Sequence, residues 1–254
     1  MKTFLLALSA CTVAAFTSYG QTSQPDSVAE ATLKPQAKQL ATELNVNPFN
    51  GTISLNNSLN QLKFRYFAKP DLALRLGFNG SKDSRLNESS NPYGTNSYNS
   101  KDERSSTTIG VNIGIEKHFK GTRRLSPYLG ADLILEKKTS EQEITSDNTT
   151  TTITGAWRES SYSNGYPPHI YYTYTQQGYS RYGLNVVTGF DFYMAKNLFF
   201  GYEVSFGFSK KSMEDIEVKQ SDSSNSPSNT ADVTNTSFTF GPSLMNGVRI
   251  GYVF

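Results

Sequence analysis

At 254 residues, with 36% hydrophobic content, a formal charge of +2 and a mean hydropathy of −0.48, the chain has the bulk statistics of one or two ordinary domains. No apolar run approaches the roughly 18 residues a membrane-spanning helix needs. The densest basic stretch, Lys120 to Arg124, lies in a short turn, so a nucleic-acid partner is excluded.

The N-terminus reads MKTFLLALSACTVAAFTSYGQ. Lys2 is a minimal positive start, Thr3 to Phe16 is mostly apolar, and Ser18 and Gly20 stand at −3 and −1 to a cut before Gln21. This predicts a cleaved secretory signal over 1–20. The box LSAC at 8–11 also matches a lipoprotein cleavage site. Only ten residues precede Cys11, however, and the apolar run continues past it to Phe16. Cys11 is the only cysteine, so the mature chain has no disulfide.

Residues 21–42 are polar, carry Pro25 and Pro35, and read as a periplasmic leader or linker. From there onward period-2 patterns dominate and no long window keeps helical spacing. Strand one is predicted at 43–55 and strand two from 58, with Asn56-Asn57 as a tight hairpin tip. The segments 62–67, 71–80, 107–119, 126–137, 181–194 and 198–208 alternate clearly, and a last strand runs from about Ser237 to Phe254. Short turns follow Phe67, Phe119 and Met194, while long polar connections cover 81–105, 138–180 and 209–236. One end therefore collects the long loops, the layout of an outer-membrane barrel with short periplasmic turns and long external loops.

The two parities of these strands differ. Leu74, Leu76, Phe78, Ile113, Ile115, Leu133, Phe206 and their equivalents form an apolar set. The opposite set is Gly or polar, and contains Lys63, Arg65, Arg75, Glu116, Asp132, Glu136, Asp191, Glu203 and Arg249. Aromatic residues gather at strand ends, as interface girdles do. The expected fold class is all-β: over 43–254, an eight-stranded antiparallel up-and-down transmembrane barrel, charged inside and apolar outside, closed because no unpaired edge can face lipid.

In this strand number, loop alternation and terminal RIGYVF, the chain resembles the small outer-membrane barrels of the OmpA, OmpX and OmpW kind, a porin-like group. The resemblance covers about 43–254. It implies an outer-membrane location in a diderm bacterium, contact with outer-membrane lipid and lipopolysaccharide, and a monomer. It also implies that Ile250, Tyr252 and Phe254 form the C-terminal signal read by the barrel-assembly machinery.

Three sites are candidates for chemistry. The interior charges are near balance, which favours a cross-linked plug, since buried charges must be paired; a narrow ion path is the alternative. A rim enzyme would need histidine beside serine. His118 faces the lumen near a short turn and His169 sits in a long loop, so an enzyme is not expected. Two separated histidines offer no metal centre, and no cofactor is expected. The third candidate is the loop holding Trp157, Tyr162, Tyr166, Tyr171, Tyr172, Tyr174 and Tyr179. Tyrosine gives broad contact at low entropy cost, which suits an extracellular protein or glycan ligand. The competing reading packs these rings on one another or extends the strands. The expected function is structural or adhesive, with a small diffusion channel as alternative and a lipid-modifying enzyme as a remote one.

Overall fold

The computed structural model describes residues 33–46, 62–93, 98–162, 169–221, 229–231, 235–244 and 248–254. Among them the strands are β1 (Leu40–Val46), β2 (Leu62–Lys69), β3 (Leu72–Asn91), β4 (Tyr98–His118), β5 (Leu125–Ser146), β6 (Thr149–Thr154) and β7 (Ala156–Tyr162). These are followed by β8 (Ile170–Gln176), β9 (Tyr179–Ala195), β10 (Leu198–Met213), β11 (Ile216–Gln220), β12 (Asn229–Ala231), β13 (Thr236–Leu244) and β14 (Val248–Val253). Eight of the described strands form an antiparallel ring in the order β1, β2, β3, β4, β5, β9, β10, β14. β14 then pairs with β1 from Ala41↔Val253 to Val46↔Val248. β13 continues along β10 beyond the reach of β14, so the last predicted strand is seen as two segments.

Alternation sets which way each side chain points, because successive residues of a strand face opposite sides. Leu74 and Leu76 on β3 are about half exposed, whereas Arg65, Glu116 and Asp191 are at most 1% exposed. The ring is thus apolar outside and charged inside. That inversion is what the period-2 reading expects of this sequence. Glycines admit the large inward side chains: a Cβ on Gly114 would collide with the Asp132 carboxylate and lie 2.5 Å from the Ala131 carbonyl.

Two expectations need correction. The sequence predicts strand one at 43–55, but β1 starts at Leu40, inside the predicted linker. Its alternation is weak in hydropathy, since Thr42 shares the outward side with Leu40 and Leu44, so its limits come from pairing with β2 and β14. The Asn56-Asn57 tip and the predicted start of strand two at 58 lie outside the described residues. Second, the polar segments read as long loops are largely strand. β3 and β4 stay paired out to Asn91↔Tyr98, and β5 runs to Ser146 before folding back as β6. A ladder needs only backbone groups, so it continues after the apolar signal stops near Phe78 and Ile109.

Two apolar clusters bracket the interior. At the short-turn end Ala41, Phe67, Ala73, Tyr193, Phe199 and Val253 pack together, with Leu33 against them. At the other end Ile153, Ala156 and Ile216 form a small core, covered by Ile144 and Val218, that ties β6 to β11.

Candidate functional site

Above the apolar floor the lumen is crossed by a network of ions. The Arg65 guanidinium reaches Asp191 at 2.6 Å, Glu116 at 3.0 Å and Glu43 at 3.2 Å. Arg75 contacts Glu203 at 2.8 Å, Asp132 at 3.0 Å and Glu116 at 3.1 Å. Arg249 contacts Asp191 at 3.0 Å, Glu43 at 3.1 Å and Glu203 at 3.5 Å. Lys63 adds a bond to Glu203 at 3.3 Å. Every carboxylate except Asp132 is thus shared between cations, which links strands on opposite sides of the ring. Arg65 also lies over the Phe199 ring at 4.7 Å and Arg249 over Tyr128 at 5.2 Å, so the guanidinium faces are covered as well as their edges.

The structure brings together eight of the nine charges read from the sequence. Glu136 stands apart, higher in the lumen, where it accepts from the Tyr179 hydroxyl at 2.9 Å and lies near Arg181 and Asn79. Glu43 takes its place in the network and is 3% exposed. The sequence reading missed it because strand one was mis-set. Its two-residue offset from Ala41, opposite Lys63 in the ladder, was the available signal. Tyr128 was missed too. Its hydroxyl donates to Glu203 at 2.8 Å, but a tyrosine on the polar parity has no charge to announce it.

His118 also belongs to this layer. Its Nδ1 lies 2.9 Å from the Ser126 hydroxyl and its Nε2 3.0 Å from Glu116. The line serine–histidine–carboxylate has the outline of an activated nucleophile. Ser126, however, is only 4% exposed. The imidazole is flanked by the rings of Phe67 and Tyr128 at 5.5 and 5.3 Å. Glu116 is already engaged by Arg65 and Arg75. The arrangement acts as a strut that extends the network toward the short turn. His169 lies exposed beside β8, away from this layer.

The tyrosine-rich segment forms a two-stranded sheet, β7 with β8, paired from Ala156↔Gln176 to Tyr162↔Ile170. Tyr171, Tyr172 and Tyr174 are exposed on it, and Arg158 lies over the Tyr172 ring at 4.5 Å. Tyr166 and the side chain of Tyr162 lie outside the described residues. Trp157 and Tyr179 do not join this exposed group. Trp157 has Arg104 of β4 over its ring at 5.8 Å and Lys138 of β5 at 5.9 Å. Tyr179 opens β9, bonds Glu136, and has Lys211 over its ring at 4.1 Å. The base of the hairpin is fastened by Gln142, which accepts from the Arg158 backbone N–H at 2.6 Å, and by Arg104, which donates to the Arg158 carbonyl at 3.1 Å. Ile250, Tyr252 and Phe254 all face outward near the seam of β14 with β1.

The family model described as "Putative OmpA-OmpF-like porin family" matches residues 47–249. No curated protein sequence matches the chain. Among solved structures it is similar to the N-terminal β-barrel domain of Pseudomonas aeruginosa OprF, at 10% identity and a TM-score of 0.32, over 87% of this chain and 100% of that one. It is also similar to CarO of Acinetobacter baumannii, at 11% identity and a TM-score of 0.29, over 89% of this chain and 100% of that one. Scores this low carry no weight for fold or function; the family match does, because it spans most of the chain, from β2 through β13 and into the start of β14. The protein is an outer-membrane β-barrel protein and belongs to this OmpA-OmpF-like porin family.

Proposed function

We propose that the chain spans the outer membrane as a monomer, with its lumen blocked by the charge network and its β7–β8 hairpin turned to the outside for contact with an extracellular protein or glycan. The observation that carries this reading is the multiple engagement of Arg65, Arg75 and Arg249, each within 3.5 Å of three carboxylates and almost wholly buried. An eight-stranded ring leaves an interior that side chains nearly fill, and here they do so with ions that hold one another in place. A cavity beside Lys63, Arg75 and Asp132 measures about 10 Å³, room for about one water. The apolar exterior supports a bilayer surround, and the outward Ile250, Tyr252 and Phe254 support reading by the assembly machinery. A short signal over 1–20 supplies export.

The family's porin character favours a second reading, a narrow channel for ions or small solutes, and conductance separates the two. For the lead reading, protease or a hairpin-directed antibody applied to intact cells reaches 156–176. Changing Tyr171, Tyr172 and Tyr174 together to Ser abolishes retention on the target surface while the barrel still assembles. Silence at that segment on intact cells, or unchanged retention by the triple variant, overturns it.

A further inference from the structure

On the outward face, three lysines stand at one height. Lys82 is ten residues along β3 from Leu72, Lys137 is twelve along β5 from Leu125, and Lys210 is twelve along β10 from Leu198, each counted from the short-turn end. At about 3.3 Å per residue and a tilt near 40°, this is about 25–30 Å from the turns, the upper edge of an apolar band of about 25 Å. They are not level along the hydrogen-bond ladder. The row shifts by about one residue per strand from β3 to β10, the stagger that strand tilt imposes on such a ring.

Each lysine has a hydroxyl directly across the ladder on the same face: Lys82 opposite Thr107, Lys137 opposite Ser180, Lys210 opposite Tyr182. Below them lie Phe78, Leu135 and Phe208, all exposed. The nearest outward acids on the ring strands, Glu88, Glu103 and Glu141, come four to six residues farther out. Glu214, after β10, does approach Lys137, at 3.4 Å, but leaves Lys82 and Lys210 untouched. Asp83 falls on the opposite parity.

We propose that Lys82, Lys137 and Lys210 form a collar that binds the phosphate groups of lipid headgroups, a reading that rests on the membrane-spanning one above. The placement selects this partner. A ligand must carry an anionic group at the end of an apolar tail to satisfy an ammonium and a hydroxyl standing immediately above exposed aromatic and aliphatic side chains. Lysine stems lie along such surface while the charged head reaches out of it.

The test refolds the full chain into phosphatidylcholine vesicles containing a minor fraction of either a diphosphorylated glycolipid or its dephosphorylated form, and measures the lipid retained on the purified protein. The wild type retains the phosphorylated form selectively. K82Q/K137Q/K210Q loses that retention by at least about tenfold. The short-turn variant K120Q/K196Q keeps it. Equal retention by the collar variant overturns the proposal, as does equal retention of the dephosphorylated lipid. Displacement by excess inorganic phosphate overturns it in favour of a free-anion site. Failure of the wild type to insert into either vesicle overturns the membrane reading and the collar with it, whereas insertion without lipid discrimination overturns the collar alone.

Discussion

Arg65 shows what a buried ion requires in this protein. Its guanidinium is 1% exposed and meets Glu43, Glu116 and Asp191. Taking one partner out of such a cluster leaves uncompensated charge, which costs about 3–5 kcal/mol. Arg65→Met is therefore expected to lower the unfolding midpoint in detergent micelles by about that amount, and a change within 1 kcal/mol would mean that the network does not bear on stability. Tyr128→Phe removes one hydroxyl donated to Glu203, and a loss of about 1.5–3 kcal/mol is expected by the same measurement. The pair of Asp71, in the short turn after β2, with Lys117 on β4 behaves differently because both side chains are about half exposed. The hydrogen bond from Lys117 holds the Asp71 carboxyl below its usual range. Its contribution is therefore present above the unfolded carboxylate value, about 3.9, and is lost as pH falls through the lower folded value. Titration of the Asp71 carbonyl by NMR should show the depressed midpoint, and Lys117→Gln should return it to the ordinary range. Eight members of the charge layer were legible in the sequence because Lys63, Arg75, Asp132 and the rest sit on the non-apolar parity of clear strands. Which charges touch was not legible. Glu136 and Glu203 look alike in alternation, yet they fall into different layers because contact across a lumen depends on height, and height depends on register and tilt.

At the scale of elements, the limit of sequence reading was the end of the apolar signal. The strands near Leu72, Leu125, Tyr182 and Leu198 declared themselves through alternation against a hydrophobic outer face. Beyond that face, Thr149 to Thr154 offers a single apolar residue, Ile153, and Ile216 to Gln220 only Ile216 and Val218, too short a pattern to declare a strand, although the two segments pair with each other. Their order rests on Ile153, Ala156 and Ile216, three apolar residues from two segments far apart in sequence. Ile153→Ala removes buried methyl groups from this small core, at a cost of about 2–4 kcal/mol. The expected outcome is local: protease cuts within 149–162 much faster than in the wild type, while the ring keeps its unfolding midpoint. A parallel fall in both would show that the outer sheet and the ring unfold as one unit. The same reasoning explains Trp157. Read in isolation it is one more aromatic in a tyrosine-rich loop; in the fold its neighbours are Arg104 and Lys138, supplied by β4 and β5.

Across the whole molecule, one inversion organises the rest. Charges meet inside a ring whose exterior is Leu, Ile, Val and aromatic rings, the arrangement that the proposed bilayer surround requires. The interior is layered. An apolar floor lies at the short-turn end, then the nine ions of the network, then Glu136 with Tyr179 and Arg181, and finally Trp157 with Arg104 and Lys138 over its ring. Substituting the central carboxylate Glu203 releases Lys63, Arg75 and Arg249 together, so it is the position most able to open a path. Single-channel recording of the refolded chain in a planar bilayer tests the blocked lumen most directly. The folded wild type is expected to pass no resolvable current, with intermittent openings only in Glu203→Gln. Steady wild-type openings whose size or ion preference shifts in Glu203→Gln would contradict it and make the lumen a working channel.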